Sequence, residues 1–252
     1  MTHQPLDAVF ISDLHLHPHN SDITQRFDNF IQWAAKSTKA LYILGDFFHV
    51  WSGDDSLNEW SKRIAAQLAY LATQNIPIYF LAGNRDFLVG KYFAEQAQIT
   101  LLPDPYCFKL GEHTVLLAHG DKYCANDKAH QRFRAITRHP LFQYLFLKLP
   151  LKWRNFLVAR VRKVSAQKNL PAEHQKFRLS EAILDKEMQH FRADILIHGH
   201  THQPSITTHH TDALIYQHYI LSDWDDIPTV LCYDKSIGFY FDHFGDAKSC
   251  QK

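Results

Sequence analysis

The chain has 252 residues, 46% of them hydrophobic, which is enough to bury a substantial core in one globular domain with an insertion. Lys and Arg number 27 against 26 Asp and Glu, so the net charge of +1 points to no class of partner. No apolar run reaches the roughly 18 residues of a membrane-spanning helix, and the four scattered cysteines exclude a disulfide framework. The polar residues 1–7 lead directly into a strand, so we predict no signal peptide and a cytoplasmic protein.

Apolar strands that end at a metal-ligand residue type recur along the chain. Such strands are predicted at residues 9–11, 41–44, 78–82, 115–118 and 195–197. The polar residues that follow them are Asp13 and His15, then Asp46, Asn84, His119, and the pair His198 and His200. Because ligands of open α/β sheets bind at the carboxyl ends of the strands, we expect these side chains to lie together.

Amphipathic helices are predicted between these strands, at residues 23–35, 57–73 and 175–192. Further short strands are predicted at residues 100–102, 106–110, 113–119, 193–197, 214–221, 230–233 and 237–241. Alternation of strands and helices is typical of the α/β class with a largely parallel sheet. Two β-rich halves flanked by helices favour a sandwich of two sheets.

Residues 128–172 contain no Asp or Glu, but they are rich in Lys, Arg, aromatic and aliphatic residues. We predict helices broken at Pro140 and Pro150, with an apolar interior and a cationic outside that could hold acyl chains and meet anionic lipids. The predicted division is a core of residues 1–125 and 173–252, interrupted by a helical cap of residues 126–172.

The predicted ligands suit two divalent transition ions. One ion would take Asp13, His15 and His200, the other would take Asn84, His119 and His198, and Asp46 would bridge them. Two divalent ions against two carboxylates leave about +2, which favours an anionic phosphoryl group. A bridging water, acidified to hydroxide, would attack phosphorus while Arg85 and the ions stabilise the oxygens. We predict Asp46, Asn84 and Arg85 as catalytic residues of phosphoester or phosphoanhydride hydrolysis.

Five short motifs surround these residues, and their order along the chain is informative. They are Asp13-Leu14-His15, Gly45-Asp46, Gly83-Asn84, His119-Gly120-Asp121 and Gly199-His200-Thr201-His202. Together they resemble the calcineurin-like metallophosphoesterases, although each motif alone is weak. The resemblance implies a four-layer αββα sandwich of the metallophosphoesterase type with a helical cap insertion.

A narrower resemblance covers nearly the whole chain. It rests on Trp51-Ser52-Gly53-Asp54-Asp55, Gly83-Asn84-Arg85-Asp86-Phe87, the helical segment after His119, and Asp223-Trp224. These residues are similar to the UDP-2,3-diacylglucosamine diphosphatase family of lipid A biosynthesis. The family resemblance implies manganese-dependent hydrolysis of that lipid to UMP and 2,3-diacylglucosamine 1-phosphate, by a protein peripherally associated with the cytoplasmic face of the inner membrane.

The same resemblance implies substrate contacts from Asn84, Arg85, Asp127, Ser165, Asn169 and His198. The sequence departs from the family at two places. The family's lysine falls near Ala172, so its contact is either missing here or made by Lys168, and His49 stands where the family usually has an acidic residue. Many phosphomonoesterases of the superfamily have a His where this chain has Arg85, and Arg gives up no proton at neutral pH. A phosphate leaving group needs less protonation than an alkoxide, so Arg85 favours a diphosphate substrate.

Other functions remain open from the sequence. The acid-free segment with aromatic residues is also typical of nucleic-acid grooves, which would fit a nuclease or nucleotide phosphodiesterase. We expect no nucleic acid, because the apolar residues there are mostly aliphatic. A non-catalytic membrane-docking scaffold is the remaining alternative, and the complete ligand set argues against it.

Overall fold

The structure is a computed structural model that describes residues 4–125, 128–169, 179–211, 213–225 and 228–244, with side chains of residues 164–169 excepted. Its strands are β1 (Ala8–Ile11), β2 (Leu41–Ile43), β3 (Ile78–Leu81), β4 (Thr100–Leu102), β5 (Tyr106–Leu110), β6 (His113–Leu117), β7 (Ile195–His198), β8 (Ser205–His210), β9 (Ile215–Ile220), β10 (Val230–Asp234) and β11 (Gly238–Asp242). Its α-helices are α1 (Ser21–Ser37), α2 (Glu59–Thr73), α3 (Lys91–Ala97), α4 (Lys128–Thr137), α5 (Pro140–Leu147), α6 (Leu151–Asn169) and α7 (Glu181–Phe191).

The strands form two mixed sheets. The first has six strands in the order β11-β10-β1-β2-β3-β4, and the second has five in the order β5-β6-β7-β9-β8. Strands β1 to β4 are parallel, as are β6, β7 and β9, while the other pairs are antiparallel. The parallel strands of each sheet therefore direct their carboxyl ends to one edge.

Alternating side chains of each strand build separate apolar layers. In β1, Val9 and Ile11 pack into the cluster that contains helices α1 and α2, whereas Phe10 faces the second sheet. On the outer face of the second sheet, Leu196 packs with Met188 of α7. Each fully buried side chain of this size contributes about 1.5–3 kcal/mol to the burial free energy. The layers are helix, sheet, sheet and helix, which confirms the predicted αββα sandwich.

Two elements were not predicted. Strand β8 is exposed along most of its length and has polar residues on both faces, so its sequence shows no apolar alternation. Helix α3 has only seven residues, too few to show helical periodicity. The predicted start of the helix before β7 falls on residues that lie outside the described ranges.

Three helices, α4, α5 and α6, follow β6 and the short turn after it. Pro140 is the first residue of α5, and α6 begins directly after Pro150, so the helices break where the prolines predict. None of the described helices combines the length and hydrophobicity needed to cross a membrane. We refer to residues 128–163, the part of these helices whose side chains are described, as the cap helices.

Candidate metal centre

Residues of the candidate site have an unusual backbone conformation. Asp13, His15, Asp46, His200 and His202 all have φ between 49° and 69°, in the left-handed region. This conformation costs a non-glycine residue about 1 kcal/mol or more, so the surrounding fold must impose it. The concentration of strained residues at one edge of the sheets is typical of a functional site.

Asp46 lies between two groups of candidate ligands. Its Oδ2 is 3.4 Å from Nε2 of His15, and its Oδ1 is 3.6 Å from Nε2 of His119. Burial by itself raises the pKa of Asp46, but the charges of His119, His15 and Arg85 outweigh burial and hold the pKa well below its ordinary value. The carboxylate is therefore ionised, with one oxygen directed to each group.

His119 and Asn84 form the group on one side of Asp46. Nδ1 of His119 donates to the Leu44 carbonyl at 2.9 Å, which leaves Nε2 as the atom available to an ion. That Nε2 lies 2.9 Å from Oδ1 of Asn84, and the ring centroid of His119 is 5.1 Å from that of His200. Burial, together with the charge of His119, lowers the pKa of His200 to about 3, so its ring stays neutral.

Asp13, His15 and His202 form the group on the other side. Nε2 of His202 is 3.4 Å from Oδ1 of Asp13, and Nε2 of His15 is 4.0 Å from the same oxygen. This Oδ1 is buried and has no hydrogen-bond partner among the described residues. A buried carboxylate oxygen without a partner, facing two imidazoles, fits a divalent cation well.

The arrangement departs from the predicted ligand sets: His202 lies in this group where His200 was predicted, and His200 lies beside His119 where His198 was predicted. His198 is fully buried, its Nδ1 donates to the Gly199 carbonyl at 2.8 Å, and its Nε2 lies 2.8 Å from Nε2 of His218. Burial lowers the pKa of His198 to about 4, so it is a neutral, internally bonded ring. The sequence predicted that this strand ends at residue 197, whereas β7 continues through His198, whose ring turns inward.

Asp86 holds the loop that carries Asp46. Its carboxylate accepts backbone N–H groups from Gly83 at 2.7 Å and Phe47 at 2.8 Å, and also from Asp46 and Phe48. Burial and the nearby Asp46 charge raise the pKa of Asp86 to about 6. Gly83 is required beside it, because a Cβ there would overlap both the backbone and the carboxylate of Asp46.

Two arginines lie near Asp46 and influence each other electrostatically. Nε of Arg85 is 3.1 Å from Oδ2 of Asp46, as predicted for a residue close to the reacting group. Arg162 of α6 donates to the His49 carbonyl, and burial together with the charge of Arg85 lowers its pKa to about 10. Burial and the charge of Arg162 lower the pKa of His49 to about 3, so His49 adds no charge. Two neighbouring cations in a partly buried position favour an anionic ligand. The sequence offered no signal that singled out Arg162 from the other basic residues.

Other arginines of the cap helices point into the protein, so only part of the basic residues form the predicted cationic outside. Arg134 donates to Asp121 at 3.0 Å and to Asp104 at 2.9 Å, and Asp104 in turn accepts the backbone N–H of His119 at 3.3 Å. Arg154 is 1% exposed, donates to the Ser52 carbonyl and Asp55, and so joins α6 to the loop after β2. Because these arginines anchor the helices on acidic and carbonyl groups of the core, they are not available to lipid.

The outer surface of the cap helices is instead apolar. Its exposed large side chains are Phe133, Ile136, Leu141, Tyr144, Leu145, Leu147, Leu149, Trp153, Phe156, Leu157 and Val161. The exposed Lys and Arg residues of these helices are Lys128, Arg132, Lys148, Lys152, Arg160 and Lys163. The predicted apolar interior is present only in small part. Phe146 packs against the core, but most large apolar side chains of these helices are exposed, and arginines make the polar contacts with the core. A soluble monomer rarely exposes so many apolar side chains together without a partner.

Several predicted substrate contacts fall outside the described part of the structure. They are Asp127 and the side chains of Ser165, Lys168 and Asn169. The described residues bring together Asp13, His15, Asp46, Asn84, Arg85, His119 and His200 from the predicted set, and they add His202 and Arg162.

Comparisons with known proteins agree with the fold and the site. The family model of the calcineurin-like phosphoesterases matches residues 7–204. A protein of Neisseria meningitidis named UDP-2,3-diacylglucosamine hydrolase is 39% identical over 229 residues, covering 90% of this chain and 94% of that protein. A protein of Xanthomonas axonopodis pv. citri with the same name is 39% identical over 236 residues, covering 91% and 96%. With its αββα layers and its carboxylate between two groups of imidazoles, the chain belongs to the calcineurin-like phosphoesterase family.

Proposed function

We propose that the protein hydrolyses the diphosphate bond of UDP-2,3-diacylglucosamine, releasing UMP and 2,3-diacylglucosamine 1-phosphate in lipid A biosynthesis. The observation that carries the proposal is Asp46, whose two oxygens face separate groups of ligand atoms. The relatives that share the name UDP-2,3-diacylglucosamine hydrolase support the choice of substrate.

The residues present fit two divalent ions, which we propose to be Mn²⁺. One set is Asp13, His15, Asp46 and His202, and the other is Asp46, Asn84, His119 and His200. When bound, such ions acidify water and offset the charge of phosphoryl oxygens. The chain supplies the geometry: strained backbones and the Asp86 contacts hold the ligand atoms in place before substrate arrives.

Arg85 and Arg162 bind the diphosphate in this proposal. Because the guanidinium group of arginine is always charged at neutral pH, these side chains stabilise the charge of the phosphoryl oxygens and donate no proton to the leaving group. A diphosphate suits this arrangement, because its leaving group is a phosphate that can depart as an anion. Asn84 contacts the same group, and Asp127, Ser165, Lys168 and Asn169 stay proposed contacts for the rest of the substrate.

The cap, residues 126–172, is proposed to bind the acyl chains and to rest on the cytoplasmic face of the inner membrane. The exposed apolar surface supports this proposal, since apolar side chains beside Lys and Arg are typical of a surface that lies on anionic lipid. The rest of the chain, residues 1–125 and 173–252, forms the catalytic core.

The direct test incubates the purified protein with UDP-2,3-diacylglucosamine and Mn²⁺ and follows UMP by chromatography. We expect UMP to appear with Mn²⁺ and to be absent with a chelator. Single-stranded DNA and cyclic nucleotides are tested in parallel. Faster cleavage of either one than of the lipid would favour a nuclease or nucleotide phosphodiesterase, and bound lipid without any hydrolysis would favour a scaffold.

A second test addresses the two arginines. Arg85→Ala and Arg162→Ala should each lower kcat/KM by about 10² while both ions stay bound, the scale of one lost electrostatic contact at a phosphoryl group. Arg160→Ala, an exposed arginine on the same helix as Arg162, is the matched control and should keep the normal rate. A normal rate for Arg162→Ala would remove Arg162 from the substrate site.

A further inference from the structure

The Asp223-Trp224 pair follows β9 and has no role in the mechanism above. The Trp224 ring is fully buried, with its centroid 5.4 Å from Phe30 and 5.1 Å from Phe244. Arg26 of α1 donates to the carbonyls of Trp224 and Asp225. On the other side of Asp223, the backbone N–H of Leu221 donates to the His198 carbonyl at 2.8 Å, so the loop is anchored before and after Asp223, which is itself partly exposed.

Asp223 contacts one of the proposed ligands. Its Oδ2 is 3.2 Å from Nδ1 of His202, while Nε2 of the same ring is 3.4 Å from the buried Oδ1 of Asp13. A carboxylate accepts only from a protonated nitrogen, so this contact places a proton on Nδ1 and leaves Nε2 for the ion. It also prevents the ring from turning about its last side-chain bond.

We propose that Asp223 is a positioning residue that holds His202 in the orientation and tautomer needed to bind one of the two ions. The inference rests on the proposed function, because it requires His202 to be a metal ligand. Its effect is selective: Asp223 makes no described contact with Asn84, His119 or His200, so the ion on that side of Asp46 should keep its affinity.

The test measures Mn²⁺ binding to metal-free protein by equilibrium dialysis with metal analysis. The wild type should bind two ions per chain. In Asp223→Ala, one of the two dissociation constants should rise by about tenfold to a hundredfold, the usual cost of losing a carboxylate behind a metal-bound histidine. His202→Gln should weaken the same ion by at least as much. Asp225→Ala, an exposed aspartate in the same loop, should change neither constant.

A second readout separates positioning from general stability. In Zn²⁺-loaded protein, ¹⁵N spectra should show His202 protonated at Nδ1 in the wild type, and in Asp223→Ala this signal should be lost or mixed. The thermal midpoint of the metal-free protein should stay within about 3 °C of the wild type. Two unchanged dissociation constants in Asp223→Ala, or equal loss of both ions, would overturn the inference. A wild type that binds no ions would instead contradict the proposed function itself.

Discussion

The candidate metal centre and the cap helices both bury charged side chains, but the two regions differ in what surrounds those charges. At the candidate metal centre, most of the charged and polar side chains are buried, and their neighbours determine whether each is ionised or neutral. Several of them lie on strained backbone. In the cap helices, arginines turn inward to the core and large apolar side chains face outward. The difference shows that the hydrophobic pattern of a helix does not by itself predict which of its side chains are buried. The segment against which the helix packs must also be known.

The charged side chains of the two regions also have different roles: some can bind a cation, and others attach a helix to the core. At the strand ends, the buried Oδ1 of Asp13 has no hydrogen-bond partner among the described residues and faces two imidazoles, where a cation fits. Arg134, in contrast, is paired with two core carboxylates and supports the attachment of α4. Substitutions in the first region should affect ions and catalysis, whereas substitutions in the second should affect folding or membrane binding.

The largest effect is expected at the carboxylate between the two ligand groups. Asp46→Ala should release both ions and lower the rate of UMP formation by at least about a thousandfold, because it removes the shared ligand of both sites. Metal analysis and the UMP assay measure the two effects. Asp22→Ala, an exposed aspartate on α1, should leave both unchanged. An Asp46→Ala protein that retains two ions would show that Asp46 is not the bridge.

Loss of the contacts that attach the cap helices to the core should lower the free energy of unfolding. Arg134→Ala leaves the buried carboxylates of Asp104 and Asp121 without their main cation, and we expect a loss of about 3–5 kcal/mol in the free energy of unfolding. Equilibrium urea unfolding of metal-free protein measures the loss. Arg132→Ala, exposed on the same helix, should change the free energy by less than about 0.5 kcal/mol. Similar values for both variants would mean that the inward arginine does not anchor the helix.

The affinity of one ion should depend on pH. Burial alone lowers the pKa of His202, but the neighbouring carboxylates of Asp13 and Asp223 outweigh it and raise the pKa to about 10 in the metal-free protein. An ion at Nε2 must displace a proton at any pH below 10, so its affinity should rise by about tenfold per pH unit between about pH 6.5 and 8.5. Calorimetric Mn²⁺ titrations at several pH values measure the slope. A flat or falling affinity would contradict this role of His202.

The smallest effect is expected at the apolar surface of the cap helices. Trp153 is 63% exposed, and Trp153→Ala should weaken binding to phosphatidylglycerol vesicles by about tenfold, because less apolar surface enters the bilayer interface. Vesicle co-sedimentation measures binding, and hydrolysis of a detergent-solubilised substrate gives the comparison. Tyr92→Ala, which removes a similarly exposed aromatic ring from α3, is the control. Equal binding by both variants would place the membrane contact elsewhere.

Sequence alone was sufficient to predict the αββα sandwich, and it named most of the residues that the structure brings together at the candidate metal centre. Asp13, His15, Asp46, Asn84 and His119 each follow a short apolar strand, and parallel strands bring their carboxyl ends to one edge whatever the details of packing. These predictions needed only local pattern and a general rule of topology.

Tertiary structure decided the rest. Whether His198 or His202 faces the ions depends on where β7 ends and on His218 of β9, twenty residues further along the chain, which binds the inward ring. The outward apolar residues and inward arginines of the cap helices depend on Asp55, Asp104 and Asp121, which other segments supply. A helix or a strand end presents several possible faces, and only its partners, distant in sequence, determine which of them is buried.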